Sequence, residues 1–183
     1  MKQNLVLIAG LLAAMASQAQ QGGYVAVGGG MSKYNDDCSG TTNCDTTGNA
    51  FKLTSGYELF NGFAVEGVYL NFGKARARAS GVDVAIKSNA VGVGGAFFAR
   101  LNPSLALVAR LGVARVKVSA TATGLGGTFS DSENTTKPYA GIGMTWAFLP
   151  TAYLDVGWDS TQGKLDGSKE TISAFTVGVG LRF

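Results

Sequence analysis

A chain of 183 residues with 15% charged residues and a formal net charge of +3 suits one domain and calls for no nucleic-acid partner. Apolar residues make up 46%, yet no uninterrupted apolar run reaches the ~18–20 residues that a membrane-spanning helix needs. Histidine is absent, which removes the usual acid/base group at neutral pH and, with only two cysteines, disfavours a metal centre.

The longest apolar run, Leu5 to Ala16, follows Lys2 and precedes Ser17-Gln18-Ala19. A basic start, a short apolar stretch and small residues at the two recognised positions predict a signal peptide over residues 1–19, cut after Ala19. Cleavage after Ala16 is the lesser option, and the run is too short for a retained anchor. No cysteine lies near the cut, so a lipoprotein is not expected.

From Gln20 on, the chain alternates. Strand one, Tyr24 to Met31, sets Val25, Val27, Gly29 and Met31 against Tyr24, Ala26, Gly28 and Gly30. A polar stretch from Tyr34 to Asn49 follows as a long loop. It contains Cys38 and Cys44; an exported chain meets an oxidising compartment, so a local disulfide is expected, with two free thiols as the alternative.

Strand two, Ala50 to Phe60, puts Phe51, Leu53, Tyr57 and Leu59 on one face and Lys52, Thr54, Gly56 and Glu58 on the other. Asn61-Gly62 then predicts a two-residue hairpin. Strand three, Phe63 to Phe72, faces Phe63, Val65, Gly67 and Tyr69 one way and Glu66 the other. A loop from Gly73 to Val82 carries Lys74, Arg76 and Arg78.

Strand four ends over Ala90 to Leu101, with Val91, Val93, Phe97 and Leu101 opposed to Gly92, Gly94, Ala96 and Arg100. Asn102-Pro103-Ser104 is a short turn. Strand five, Leu105 to Val118, sets Leu105, Leu107, Leu111 and Val113 against Arg110, and Ser119 to Thr136 reads as another long loop. Strand six, Pro138 to Phe148, sets Ile142, Met144, Trp146 and Phe148 against Tyr139, Gly141, Gly143 and Thr145. After Leu149-Pro150-Thr151, strand seven, Ala152 to Trp158, opposes Leu154, Val156 and Trp158 to Tyr153 and Asp155. A last polar loop, Asp159 to Thr171, leads to strand eight. Its end, Ser173 to Phe183, alternates Phe175, Val177, Val179, Leu181 and Phe183 with Ala174, Thr176, Gly178, Gly180 and Arg182.

Long polar connections follow the odd strands and tight turns the even ones, the asymmetry of outer-membrane barrels with short periplasmic turns and long external loops. A sheet crosses a bilayer only when closed, and eight strands give an interior that side chains just fill. The fold class is therefore an all-β, eight-stranded antiparallel up-and-down transmembrane barrel over residues 20–183. The charges agree with it. Lys52, Glu58, Glu66, Arg100, Arg110, Asp155 and Arg182 all share the inward face, whereas a charge aimed at lipid mid-depth costs ~2–4 kcal/mol. In a narrow lumen they must pair. Gly28, Gly30, Gly92, Gly94, Gly178 and Gly180 fall on the same crowded side. A soluble lipid-carrying barrel is the alternative and requires the opposite polarity.

The ordered segments Y-V-A-V-G-G-G-M-S-K-Y, F-A-V-E-G-V-Y-L, A-R-L, L-D-V-G-W-D and V-G-V-G-L-R-F, which cover nearly the whole mature chain, resemble the OmpA-like outer-membrane β-barrel family. The resemblance implies that Glu66 is the strand-three lumen acid, Arg100, Arg110 and Arg182 its basic positions, and Asp155 a strand-seven acid. Thr145 and Tyr153 depart from the acid and the arginine that OmpA itself carries there, so its gating ion pair does not transfer intact. The sequence ends at Phe183 without the peptidoglycan-binding domain of OmpA, which suggests a barrel-only member. The terminal Phe183 resembles the signal read by the barrel-assembly machinery, and periplasmic chaperones are the implied partners during insertion.

These observations point to an outer-membrane protein with a structural or surface-interaction role, exposing four polar loops. A narrow pore is the alternative. Catalysis and cofactors are not expected, since the enzymes known on such barrels rest on histidine, and Asp36 and Asp37 are adjacent loop acids. Lys74, Arg76 and Arg78, with Lys117 and Lys137, are candidates for contact with lipopolysaccharide phosphates at the outer rim. Tyr57, Phe63, Tyr69, Trp146, Phe148, Trp158 and Phe183 are candidates for interfacial belts.

Overall fold

A computed structural model describes residues 22–35, 43–79, 82–124, 127–165 and 168–183. The signal-peptide segment 1–19 and Cys38 lie outside the described residues. Alternating sequence builds β1 (Gly23–Tyr34), β2 (Asn43–Asp45), β3 (Thr47–Phe60), β4 (Phe63–Ala79), β5 (Val82–Arg100), β6 (Leu105–Gly124), β7 (Gly127–Ala147), β8 (Ala152–Leu165) and β9 (Ser168–Arg182). β2 and β3 are one strand interrupted at Thr46, so eight strands make the wall. Each pairs antiparallel with its neighbour, and β1 closes the sheet on β9 through pairs from Tyr24↔Arg182 to Tyr34↔Ile172. Closure leaves no strand edge in the wall, as a bilayer demands.

One end of the barrel carries the tight turns. Asn61 (φ 46°) and Gly62 (φ 85°) occupy the two left-handed positions of a two-residue hairpin, which Asn and Gly accept most readily. At the second turn the Asn102 Oδ1 accepts hydrogen bonds from the backbone N–H of Ser104 (2.9 Å) and Leu105 (2.8 Å). At the third, Ala152 N–H donates to the Leu149 carbonyl at 3.3 Å.

The other end corrects the sequence reading. The stretches 73–82, 119–136 and 159–171, read as polar loops, are mostly strand: β6 and β7 stay in register out to Gly124↔Gly127, and β8 and β9 out to Leu165↔Ser168. Threonine, serine and valine continue the ladder well, and an extended hairpin satisfies its own backbone. Within β4 the register slips by one residue between Asn71 and Lys74; Gly73 (φ 69°) takes the left-handed position there and donates its N–H to Asn71 Oδ1 at 2.8 Å. Past the bulge Lys74 is exposed and Ala75 buried, the reverse of the parity that buries Leu70 and Phe72.

Side-chain polarity changes sign along the wall. Toward the tight turns, Val27, Leu53, Val65, Val93, Leu111 (71% exposed), Ile142 and Val177 point outward. Farther along the same strands the outward positions become Lys33, Asn49, Lys87, Asn89, Arg115, Lys117, Gln162 and Thr171. Over that span apolar groups turn inward, and Phe72, Leu70, Ile172, Val116, Val118 and Tyr34 form one buried cluster. Val116 and Val118 thus line the interior. The interior is therefore polar over part of its length only.

Candidate functional site

Three features could carry function: the charged middle of the lumen, its mouth at the tight-turn end, and the outer surface where polarity inverts. In the middle, Arg110 on β6 spans the lumen. Its Nε donates to Glu66 Oε2 on β4 at 2.9 Å and its Nη2 to Asp155 Oδ2 on β8 at 3.1 Å. Tyr24 on β1 donates its hydroxyl proton to Glu66 Oε1 at 2.6 Å. Lys52 on β3 donates to Asp159 Oδ2 on β8 at 2.5 Å, and the Tyr139 hydroxyl donates to Asp159 Oδ1. These groups are almost wholly buried, so each carboxylate needs its donors in place.

Lys52, Glu66, Arg110 and Asp155 therefore meet as their shared face predicts. Glu58 and Arg100 pair as well, by Arg100 Nη2 to both carboxylate oxygens (2.5 and 2.7 Å), but at the tight-turn mouth, where Arg100 is half exposed. Arg182 has no acid partner among the described residues; its guanidinium lies over the Tyr153 ring, 4.9 Å from the centroid. Thr145, in register with Asp155, is buried in the wall.

Asp159 is the residue that sequence reasoning missed, having been placed in a loop. Tyr153, Asp155, Gly157, Asp159 and Thr161 keep one parity and are all buried in the structure, but polar residues on both faces beyond Trp158 hide that parity in the sequence. Small wall residues make room for the network. A Cβ on Gly141 would collide with Asp159 Oδ1, and one on Gly56 would stand 2.5 Å from the Tyr24 ring. Glycines also face each other across strands at Gly28↔Gly178, Gly94↔Gly112 and Gly143↔Gly157, where a Cβ on Gly178, Gly94, Gly112 or Gly143 would press on the facing backbone.

On the outer surface, Lys74, Lys87, Arg115 and Lys117 are exposed and have no ion-pair partner among the described residues. Lys74 stands directly opposite Lys87, and Lys117 opposite Asn89. Lys137 differs from expectation: it is in register with buried Ala114 and on the parity of buried Tyr139, so it belongs to the inner face. The backbones of Arg76 and Arg78 pair with Ala85 and Asp83, while their side chains lie outside the described ones, as does that of Cys44.

Aromatic residues gather at two levels. Phe51 and Tyr69 meet edge-on near the inversion, 6.4 Å apart, close in level to Trp158 and Phe175. Phe63–Phe97 (4.7 Å) and Trp146–Phe148 (6.3 Å) mark the tight-turn end. Phe183 ties its strand to β1, its N–H donating to the Gly23 carbonyl at 2.9 Å and its carbonyl accepting from Gly23 N–H at 3.1 Å.

A family model described as "Outer membrane protein beta-barrel domain" matches residues 5–183. A search of curated proteins finds no match. Among solved structures, the chain resembles Ail, the attachment invasion locus protein of Yersinia pestis, at 23% identity and a TM-score of 0.62, covering 90% of this chain and 100% of that one. Neisserial surface protein A is similar at 15% identity and a TM-score of 0.63, over 89% and 98% of the two chains. The N-terminal β-barrel domain of Pseudomonas aeruginosa OprF follows at 13% identity and a TM-score of 0.54, over 89% and 98%. At these identities the likeness shows the fold.

Proposed function

The chain belongs to the outer membrane protein β-barrel family, and from that membership we propose that it acts at the cell surface as an interaction barrel rather than as a conduit. The observation that carries the reading is the apolar plug: Phe72 is 0% exposed, and with Leu70, Ile172 and Val116 it fills the lumen toward the long hairpins. An apolar, close-packed section offers an ion neither water nor ligands. The hairpins beyond it present polar strand surface, and no catalytic role is proposed. The tight turns would face the periplasm and the hairpins the exterior.

The outward cations supply a concrete contact. Lys74, Lys87, Arg115 and Lys117 sit where the outer face turns from apolar to polar, with Arg115 in register with exposed Val91. Phosphates of lipopolysaccharide would relieve the Lys74–Lys87 juxtaposition; Arg76 and Arg78 would extend the same contact. Ail, which shares the fold, has been solved in complex with the heparin analogue sucrose octasulfate, and a polyanion is a fitting external partner here too. Export through residues 1–19, a Cys38–Cys44 disulfide, and recognition of Phe183 by the assembly machinery complete the proposal.

The test combines two measurements on outer-membrane-extracted protein. Planar-bilayer recordings are expected to show no channels, and lipopolysaccharide is expected to co-purify with the wild type and be lost from a variant carrying alanine at 74, 87, 115 and 117. Steady unitary conductance that changes on Glu66→Gln would instead establish the pore reading. Co-purification undiminished in the alanine variant would remove the rim contact.

A further inference from the structure

The mouth at the tight-turn end is a built cavity of about 560 Å³, within the size range of small-ligand pockets. Its inner boundary is aromatic: Tyr24 and Phe98 meet edge to face with centroids 5.5 Å apart, and both are buried. Tyr153 forms another wall. It is buried, lies under the Arg182 guanidinium and lines the cavity.

The charges around the cavity are unequal. Glu58 neutralises Arg100 in a two-oxygen pair. Arg182 has no carboxylate partner among the described residues, and its guanidinium lies over the Tyr153 ring, 4.9 Å from the centroid. Tyrosine stacking fixes a guanidinium without using its N–H groups, so the donors stay available in a set direction. The Arg182 guanidinium, the Tyr153 phenol and an aromatic floor line the same space.

We propose that this mouth binds a carboxylate borne on an apolar group, presented from the periplasmic side. A single lining guanidinium without a carboxylate partner among the described residues suits one carboxylate. The Arg182 guanidinium and the Tyr153 hydroxyl receive the carboxylate oxygens, and the Tyr24–Phe98 pair packs against the apolar part. The carboxylate could end a peptide or belong to a free aromatic or aliphatic acid. The proposal does not depend on any contact at the outer rim.

Binding of three probes to the mature protein in detergent micelles, followed by titration calorimetry, tests it: Ala-Ala-Phe as the free acid, the same peptide as its C-terminal amide, and 4-phenylbutyrate. The free-acid peptide is expected to bind about tenfold tighter than the amide, and Arg182→Gln to lose about tenfold for the acid alone. Tyr153→Phe should lose roughly threefold, in keeping with one neutral hydrogen bond. Equal binding of phenylbutyrate and peptide acid would identify a general carboxylate site, and tighter peptide binding a peptide-end site. Acid and amide binding alike, an Arg182→Gln variant that binds as wild type, or no binding at millimolar probe would overturn the proposal. Retained heat-modifiable mobility of each variant, and partial recovery in Arg182→Lys, exclude misfolding as the cause of a loss.

Discussion

Toward the tight turns the barrel wears its apolar side chains outside and buries Arg110, Glu66, Asp155, Lys52 and Asp159. Toward the long hairpins the same strands wear lysine, asparagine and threonine outside and bury Phe72, Ile172 and Val116. Strand parity is continuous through the change except at the β4 bulge, so the backbone is indifferent to it. What differs is the solvent. A wall facing hydrocarbon must put its charges inside; a wall facing water can follow the ordinary rule of soluble proteins. The position of the inversion thereby marks the edge of the hydrocarbon.

Substitutions can break this comparison at either end. The largest effect is expected from Arg110→Ala, which strands two buried carboxylates and should cost about 3–5 kcal/mol, read from urea-driven unfolding in lipid vesicles. Phe72→Ala tests the other interior. It should cost ~3–4 kcal/mol as an apolar core deletion, with planar bilayers still silent because the surrounding apolar cluster remains. Leu111→Arg puts a charge on the hydrocarbon-facing wall and should cost about 2–4 kcal/mol in the same unfolding assay. Lys117→Leu is the counterpart beyond the inversion and is expected to change stability by less than ~0.5 kcal/mol. If Lys117→Leu stabilised the barrel as strongly as Leu111→Arg destabilised it, the hydrocarbon edge would lie farther out than placed here.

The same inversion explains what the sequence made legible. Alternation of apolar and polar residues exposed every membrane-facing strand, the Asn61-Gly62 turn, and the inward set Lys52, Glu66, Arg110 and Asp155. Beyond Trp158 the outward residues become Ser160 and Gln162 while the inward ones include Asp159 and Thr161, so both faces are polar and the period of two is hidden. Asp159 was lost for that reason. Val116 and Val118 were legible as strand, but Arg115 and Lys117 between them belong to an outside that is now wet. After Gly73 a different obstacle intervenes: one extra residue shifts the phase, and no composition signal announces it.

The unbroken register of β6 and β7 has a mechanical meaning. From Arg115, at the hydrocarbon edge, to Gly124 at the hairpin tip, nine further residues of paired strand extend roughly 30 Å along the ladder at ~3.3 Å per residue. That is comparable to the thickness of the hydrocarbon core itself, before any allowance for strand tilt. The hairpin is a stalk held by its continuous backbone ladder, with Val116 and Val118 packed into the interior at its base. A partner that bound at the tip would do so some distance beyond the hydrocarbon edge, where reach would count as much as chemistry.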